Sequence, residues 1–356
     1  MKFALFWLLS VWTLGASAFA EASPDVTARF LAGLPVRGTP LEARSLEPAW
    51  ADHATEFDAA WAKLEERQLA RIRVWAPEYL GQAYQRRGPM FYMFSGPDFL
   101  YARAFFPHAS TYILCGTEPV GPLPQIETMP SPVLAGSLAT LRKSLRSVLN
   151  WSFFITKDMK IDLTQTQLSG TLPVLYVFLA RAGCEIRSVE SVALDKAGQF
   201  GPAKGGTPGV KIVFASPGQE NQTLYYFTTD LSNGGIRAHS GFIRFCEAQE
   251  KGASLVKAAS YLMHEDGFSK VREFLLARSA LILQDDSGIP HRFFQNSDWV
   301  VRYCGSYTGP ISLFQQYPQP DLARAHEVSR AGPIPFGFGY QWQPNKSSLL
   351  IAAPKR

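Results

Sequence analysis

The stretch MFYMFSGPDFLYARAFFPHASTYILCG, Met90–Gly116, decides the fold. Met90–Gly96 is a short apolar run closed by Ser95 and Gly96, and it reads as a buried strand ending in a tight turn. Pro97 stands where a helix start tolerates proline, so Pro97–Phe106 reads as a short helix. Ser110–Cys115 is a second strand, closed by Gly116, Thr117, Glu118 and Pro119. Strand, turn, helix and strand in this order predict a parallel crossover, for which the connection is just long enough.

Downstream, Leu138, Leu141, Leu145, Val148 and Leu149 give a helix at Ser137–Trp151 an apolar face. Thr171–Ala182 is apolar nearly all round, which predicts a buried helix stopped by Gly183. Three strand-like runs follow at Cys184–Leu194, Val210–Ala215 and Leu224–Thr229, separated by turn-forming segments, which predicts an antiparallel meander. Helices are expected at Ala253–His264 and Ser269–Arg278, then strands at Ala280–Gln284, Trp299–Cys304 and Ser348–Ala352. The expected class is α/β: a mixed sheet with helices on both faces and the meander in the middle.

Upstream, residues 21–50 read as an irregular arm rich in Pro, Ala and Gly. Phe57, Trp61, Leu64, Ile72 and Trp75 recur at helical spacing, so Thr55–Trp75 is expected to be one amphipathic helix, with Thr55 and Asp58 as a capping box and Pro77 as its end. Its apolar stripe should dock on the main domain. The first residues differ in kind. Lys2, the apolar run Phe3–Leu14 and small residues at Ala18 and Ala20 have the pattern of a secretory signal peptide, too short to span a bilayer. The expected organisation is a signal peptide at 1–20, an N-terminal arm and amphipathic helix at 21–85, and a single α/β domain at 86–356, exported to a periplasm or outside the cell.

The whole chain has 356 residues, 46% of them hydrophobic, 13% aromatic and 18% charged. This composition excludes disorder, which needs low hydrophobicity and high net charge. A formal charge of +5, without a run of like charges, gives no basis for nucleic-acid binding. No segment beyond the leader is long and apolar enough to cross a membrane. The cysteines Cys115, Cys184, Cys246 and Cys304 are too far apart for a redox or zinc motif. An exported chain permits two bridges among them, and buried free thiols are the alternative. The matched Cys115-Gly116 and Cys304-Gly305 contexts place those two cysteines on neighbouring strands.

Four motifs carry a resemblance: Phe91–Ala102 (FYMFSGPDFLYA), Leu114–Gly121 (LCGTEPVG), Ala258–His264 (AASYLMH) and Leu281–Pro290 (LILQDDSGIP). Together they resemble an uncharacterised family of exported bacterial proteins, over about Arg86 to Pro354. The resemblance implies export and a single extended domain, and it brings no activity with it.

In open α/β sheets, ligands bind beyond the carboxyl ends of the strands. That rule gathers Ser95, Asp98, Glu118, Asp285, Asp286 and Ser287, with His291 and Arg292 in the next loop. The expectation is an acidic crevice with an imidazole beside it. Asp285, Asp286 and His291 are the candidate catalytic groups; Ser95, Asp98, Glu118, Ser287 and Arg292 are the candidate ligand contacts. Asp285, Asp286 and Glu118 could hold a hard cation, and two carboxylates could serve glycoside cleavage. A nucleophile elbow at Ser95 lacks its glycines, the turn has too few glycines for a dinucleotide, and no paired histidines suggest zinc. Asp285-Asp286-Ser287-Gly288 could equally be a plain turn. The sequence names no cofactor, metal or partner. Two functions compete: a small-ligand-binding protein or enzyme using the crevice, and a non-catalytic envelope protein that binds a partner or glycan. The second would use Tyr307, Phe314, Tyr317, Phe336, Phe338, Tyr340 and Trp342.

Overall fold

The computed structural model describes residues 21–151, 153, 167–202 and 204–355; the expected signal peptide lies outside them. Among the described residues, the strands are β1 (Pro89–Tyr92), β2 (Thr111–Gly116), β3 (Glu185–Leu194), β4 (Thr207–Ala215), β5 (Gln222–Thr228), β6 (Gly252–Val256), β7 (Ser279–Gln284), β8 (Trp299–Gly305) and β9 (Ser348–Pro354). They form one nine-stranded sheet in the order β3-β4-β5-β2-β1-β6-β7-β9-β8. The five central strands, β5-β2-β1-β6-β7, are parallel. An antiparallel pair closes each side: β3 and β4 beside β5, β9 and β8 beside β7. The expected α/β class, the parallel crossover and the meander are all present.

Side-chain alternation sorts the central strands into two cores. Met90, Tyr92, Tyr112 and Leu114 face one core; Phe91, Met93, Ile113 and Cys115 face the other. The first core is covered by α1 (Pro24–Leu31), α3 (Pro48–Leu64), α4 (Ala70–Leu80), α6 (Phe99–Phe105), α7 (Ser131–Trp151) and α8 (Leu172–Arg181). The second is covered by α9 (Asn233–Ala238), α10 (Gly241–Glu247) and α11 (Ser269–Arg278). The short helices α2 (Glu42–Ser45) and α5 (Gln82–Gln85) and the later α12 (Pro320–Val328) complete the set named here.

The arm is more ordered than its composition suggests. Residues 21–50 include α1, whose Ala28, Phe30 and Leu31 are buried in the first core. The amphipathic helix starts earlier than expected, at Pro48, and Thr55 lies inside it, its hydroxyl donating to the Ala51 carbonyl at 2.9 Å rather than capping an end. A π turn at Glu65–Leu69 joins α3 to α4. Pro77 does not end the helix: burial of Trp75, Ala76 and Leu80 carries α4 past it to Gly81. Docking of the stripe holds, with Ile72 fully buried and Trp61 half-buried against the core.

Two further expectations are corrected. Ala253–His264 is not an α-helix; its first part belongs to β6, a fully buried central strand, and its second part is a loop that ends in a 3-10 turn at Leu262–His264. A five-residue apolar run has too little length for its periodicity to separate strand from helix, and pairing with β1 and β7 decided it. Cys115 and Cys304 are not on neighbouring strands either. They sit on β2 and β8, in different cores, and all four cysteines are buried free thiols.

Candidate functional site

The chain leaves β1 in one direction along the sheet and β6 in the other. β1 passes through α6 to β2, while its other neighbour β6 passes through α11 to β7. α6 packs in the first core and α11 in the second, so the two crossovers lie on opposite faces. The carboxyl ends of β1 and β6 therefore flank a topological switch point, where the diverging connections leave a crevice. A cleft of about 250 Å³ lies there. Its lining includes Phe94 and Gly96 after β1, Gly116, Thr117 and Glu118 at the end of β2, and Thr229 and Asp230 after β5. The β6 side contributes Ala258, Ala259, Ser260 and Leu262, and Phe268 and Tyr340 close it.

The backbone around this cleft is strained. Five non-glycine residues among those described have positive φ, and four of them are Phe94, Ala258, Ser260 and Tyr261. Such conformations cost of the order of 1–3 kcal/mol each and persist only where the surroundings impose them. On the β6 side the Asp285–Ser287 segment holds the loop at Ala258, Ala259 and Tyr261. Asp285 Oδ2 accepts the Ala258 N–H at 2.9 Å, Ser287 Oγ accepts the Ala259 N–H at 2.8 Å, and Asp286 accepts the Tyr261 hydroxyl. Ser287 also gives its own hydroxyl and N–H to Asp285 Oδ1. The two carboxylates thus grip the β6 loop from behind; neither lines the cleft. Burial pushes both carboxyls up. Hydrogen bonds from Ser287 and Ala258, with the Lys257 charge, oppose this at Asp285. Asp286 is pushed up to about 7 by burial and then by the Asp285 charge.

Beneath the same loop lies a buried ion pair. Lys257 Nζ is 2.6 Å from Asp98 Oδ2, and both side chains are 2% exposed. The ammonium sits 3.4 Å from the centre of the Tyr101 ring. Asp98 also N-caps α6, accepting the Tyr101 N–H at 3.2 Å, and takes the Tyr92 hydroxyl at 2.9 Å. Burial pushes the Lys257 ammonium down, with Asp98 and Asp285 opposing. One pair therefore fastens the end of β6 to the start of α6, across the switch point.

Ser95 does not cap a helix. Its hydroxyl donates to the Cys115 carbonyl and accepts the Cys115 N–H, at 3.2 and 3.1 Å, tying the end of β1 to β2. His291 turns away from the two aspartates: Nδ1 is 2.8 Å from Asp321 Oδ2 and Nε2 is 2.7 Å from the Tyr303 hydroxyl. The link between His291 and Asp286 is indirect, because Gln319 accepts the His291 N–H and donates to the Asp286 carbonyl. Arg292 is exposed and lies over the Phe293 ring.

Glu118 is the one candidate among these that lines the cleft. It is 3% exposed, and its Oε2 has no hydrogen-bond partner among the described residues. The nearby Tyr226 and Thr228 hydroxyls both reach the Glu118 main-chain oxygen, at 3.0 and 2.9 Å. Gly116 is required beneath it, since a side chain there would collide with the Glu118 carboxylate. Among the described residues no three His, Cys, Asp or Glu side chains form a metal-binding group, so Asp285, Asp286 and Glu118 do not gather as the hard-cation set.

Sequence reasoning missed Lys257, Ser260, Phe94, Thr117, Thr229, Asp230, Phe268 and Tyr340. Reading Ala253–His264 as a helix hid the first two. The signal was Gly252 followed by the short, mostly apolar run Ala253–Val256, which ends at Lys257. Fold and cleft together define an α/β protein with a small-molecule-sized opening at its switch point. No protein-family model matches this chain, and no curated protein matches it.

Proposed function

We propose that this is an exported α/β protein that binds a small molecule in the switch-point cleft. The observation that carries the reading is the coincidence of strain and opening: Phe94, Ala258 and Ser260, all at positive φ, line the same cleft. Strain kept at the mouth of a crevice is a common mark of a ligand site. The positioning work falls to Asp285, Asp286 and Ser287, which grip the loop. The export part rests on the leader pattern around Lys2 and Phe3–Leu14 and on the motif resemblance. Among the described residues no helix is long and apolar enough to cross a membrane. The competing aromatic-surface reading has less behind it. Phe336 and Phe338 are buried in the first core, and none of Tyr307, Phe314, Tyr317, Tyr340 and Trp342 is exposed.

An NMR fragment screen on the mature protein tests this. Hits should perturb the amides of Thr117, Ser260 and Tyr340 together. If the hits instead cluster on Phe314 and Tyr317, which do not line the cleft, the aromatic-surface reading replaces this one.

A further inference from the structure

We infer that the cleft selects a small organic cation, an ammonium carried on an apolar body about one ring in size, and that Glu118 receives the charge. The inference rests on the small-molecule reading above and adds the ligand's chemistry. Its first support is the Glu118 carboxylate, 3% exposed and lining the cleft, with Oε2 unmatched by any described donor. A buried acceptor of this kind is normally satisfied, because leaving it unpaired is unfavourable. Its second support is the charge of the walls. Among the described residues, the charged groups lining the cleft are Glu118 and Asp230, with no Lys, Arg or His beside them. Lys257, next in the chain to Ala258, is buried and held by Asp98. The described charges of the lining therefore disfavour anions such as phosphates and carboxylates.

The remaining walls fix the ligand's body. Phe94 and Phe268 lie edge to face, with ring centres 6.0 Å apart, and both line the cleft with Leu262 and Leu231. Tyr340 spends its hydroxyl within the protein, donating to the Ala258 carbonyl at 2.9 Å and pairing with Ser260 at 2.8 Å. It thus presents mainly its ring. Aromatic faces attract cations and pack apolar groups, so an arylalkylamine satisfies both ends of the cleft. An inorganic cation would leave those apolar walls unused and finds one buried carboxylate.

The test titrates the mature protein with 2-phenylethylamine and with 2-phenylethanol, its uncharged isostere, following cleft amides by NMR at neutral pH. The amine should bind at least about tenfold more tightly, as a charge-assisted contact in a shielded site requires. Glu118→Gln should erase that preference and keep the alcohol's affinity. Thr117→Lys, at an exposed position beside Glu118, supplies an internal ammonium and should erase it too, which guards against a fold defect in the first variant. Equal affinities, a preference untouched by both variants, or tighter binding of 3-phenylpropionate overturns the cation inference while leaving the cleft as the site. So does a Glu118-dependent response to calcium or magnesium chloride with none to the amine. Binding of neither probe overturns it as well, and the fragment screen then decides the broader reading separately.

Discussion

At Lys257, burial and charge compete openly. The ammonium and the Asp98 carboxylate are both 2% exposed, so each depends on the other for its charge. Removing one partner of such a pair typically costs about 3–5 kcal/mol, because the other is left buried and unmatched. Lys257→Met should therefore lower unfolding free energy by about that much in urea titrations. Adding Asp98→Asn, which retains an acceptor for the Tyr101 N–H and removes the orphaned charge, should restore most of the loss. A double variant no better than Lys257→Met alone would mean that the carboxylate is not the source of the penalty.

On the scale of elements, the β6 loop and the segment after β7 behave as one unit joined at the site, and the C-terminal chain locks it from outside. Gln68, in the π turn, accepts the Gly337 N–H at 3.0 Å, which sets the course of the chain toward Gly339 and Tyr340. Gly339 has φ +66°, and any side chain there would strike the Asp285 carboxylate. Gly38 has a similar φ of +71° with open space around it. Replacing each by Ala separates backbone strain from collision. Gly38→Ala should cost about 1 kcal/mol, the left-handed penalty alone. Gly339→Ala should cost clearly more, by up to about 3 kcal/mol, and should shift the amide resonance of Ala258, whose N–H Asp285 holds. Equal losses at the two positions would remove Asp285 from the account of the loop.

Across the whole molecule, buried titratable groups pull stability in opposite directions with pH. His53, His264 and His326 are each pushed down to about 4, in every case mainly by burial. Between about pH 4 and 6.5 the unfolded chain holds three histidine protons that the fold does not. Over the same range the folded Asp286, pushed up to about 7, holds one proton that the unfolded chain has lost. The difference favours the unfolded state binding about two protons more, so stability rises with pH through this window. One proton corresponds to about 1.4 kcal/mol per pH unit. Asp286→Asn removes the opposing contribution and should steepen the rise by about that amount, measured by urea unfolding from pH 4.5 to 6.5. Parallel curves for protein and variant would show that Asp286 keeps an ordinary acidity.

Much of this protein was legible locally. Met90–Gly116 carries its strand, turn, helix and strand in apolar run lengths, although α6 starts at Phe99 with Asp98 as its cap, and not at Pro97. The meander was marked by its turns, and α8 by an apolar surface too complete for anything but burial. These features depend on neighbours a few residues away, which a linear reading can see. The rest depended on pairing between distant segments. Gly252–Val256 became a strand only because β1 and β7 each offered it a partner. Asp285, Asp286 and Ser287 were visible as a cluster after a buried strand, but that their acceptors point backwards, into the Ala258–Tyr261 loop, follows from the order of β6 and β7 in the sheet. Likewise Lys257 meets Asp98, and Glu118 opens onto the cleft, because β1 and β6 are neighbours whose connections diverge. Hydrophobic periodicity encodes which face of an element is buried; it carries no information about which strand lies beside it, and the site is made where that choice is settled.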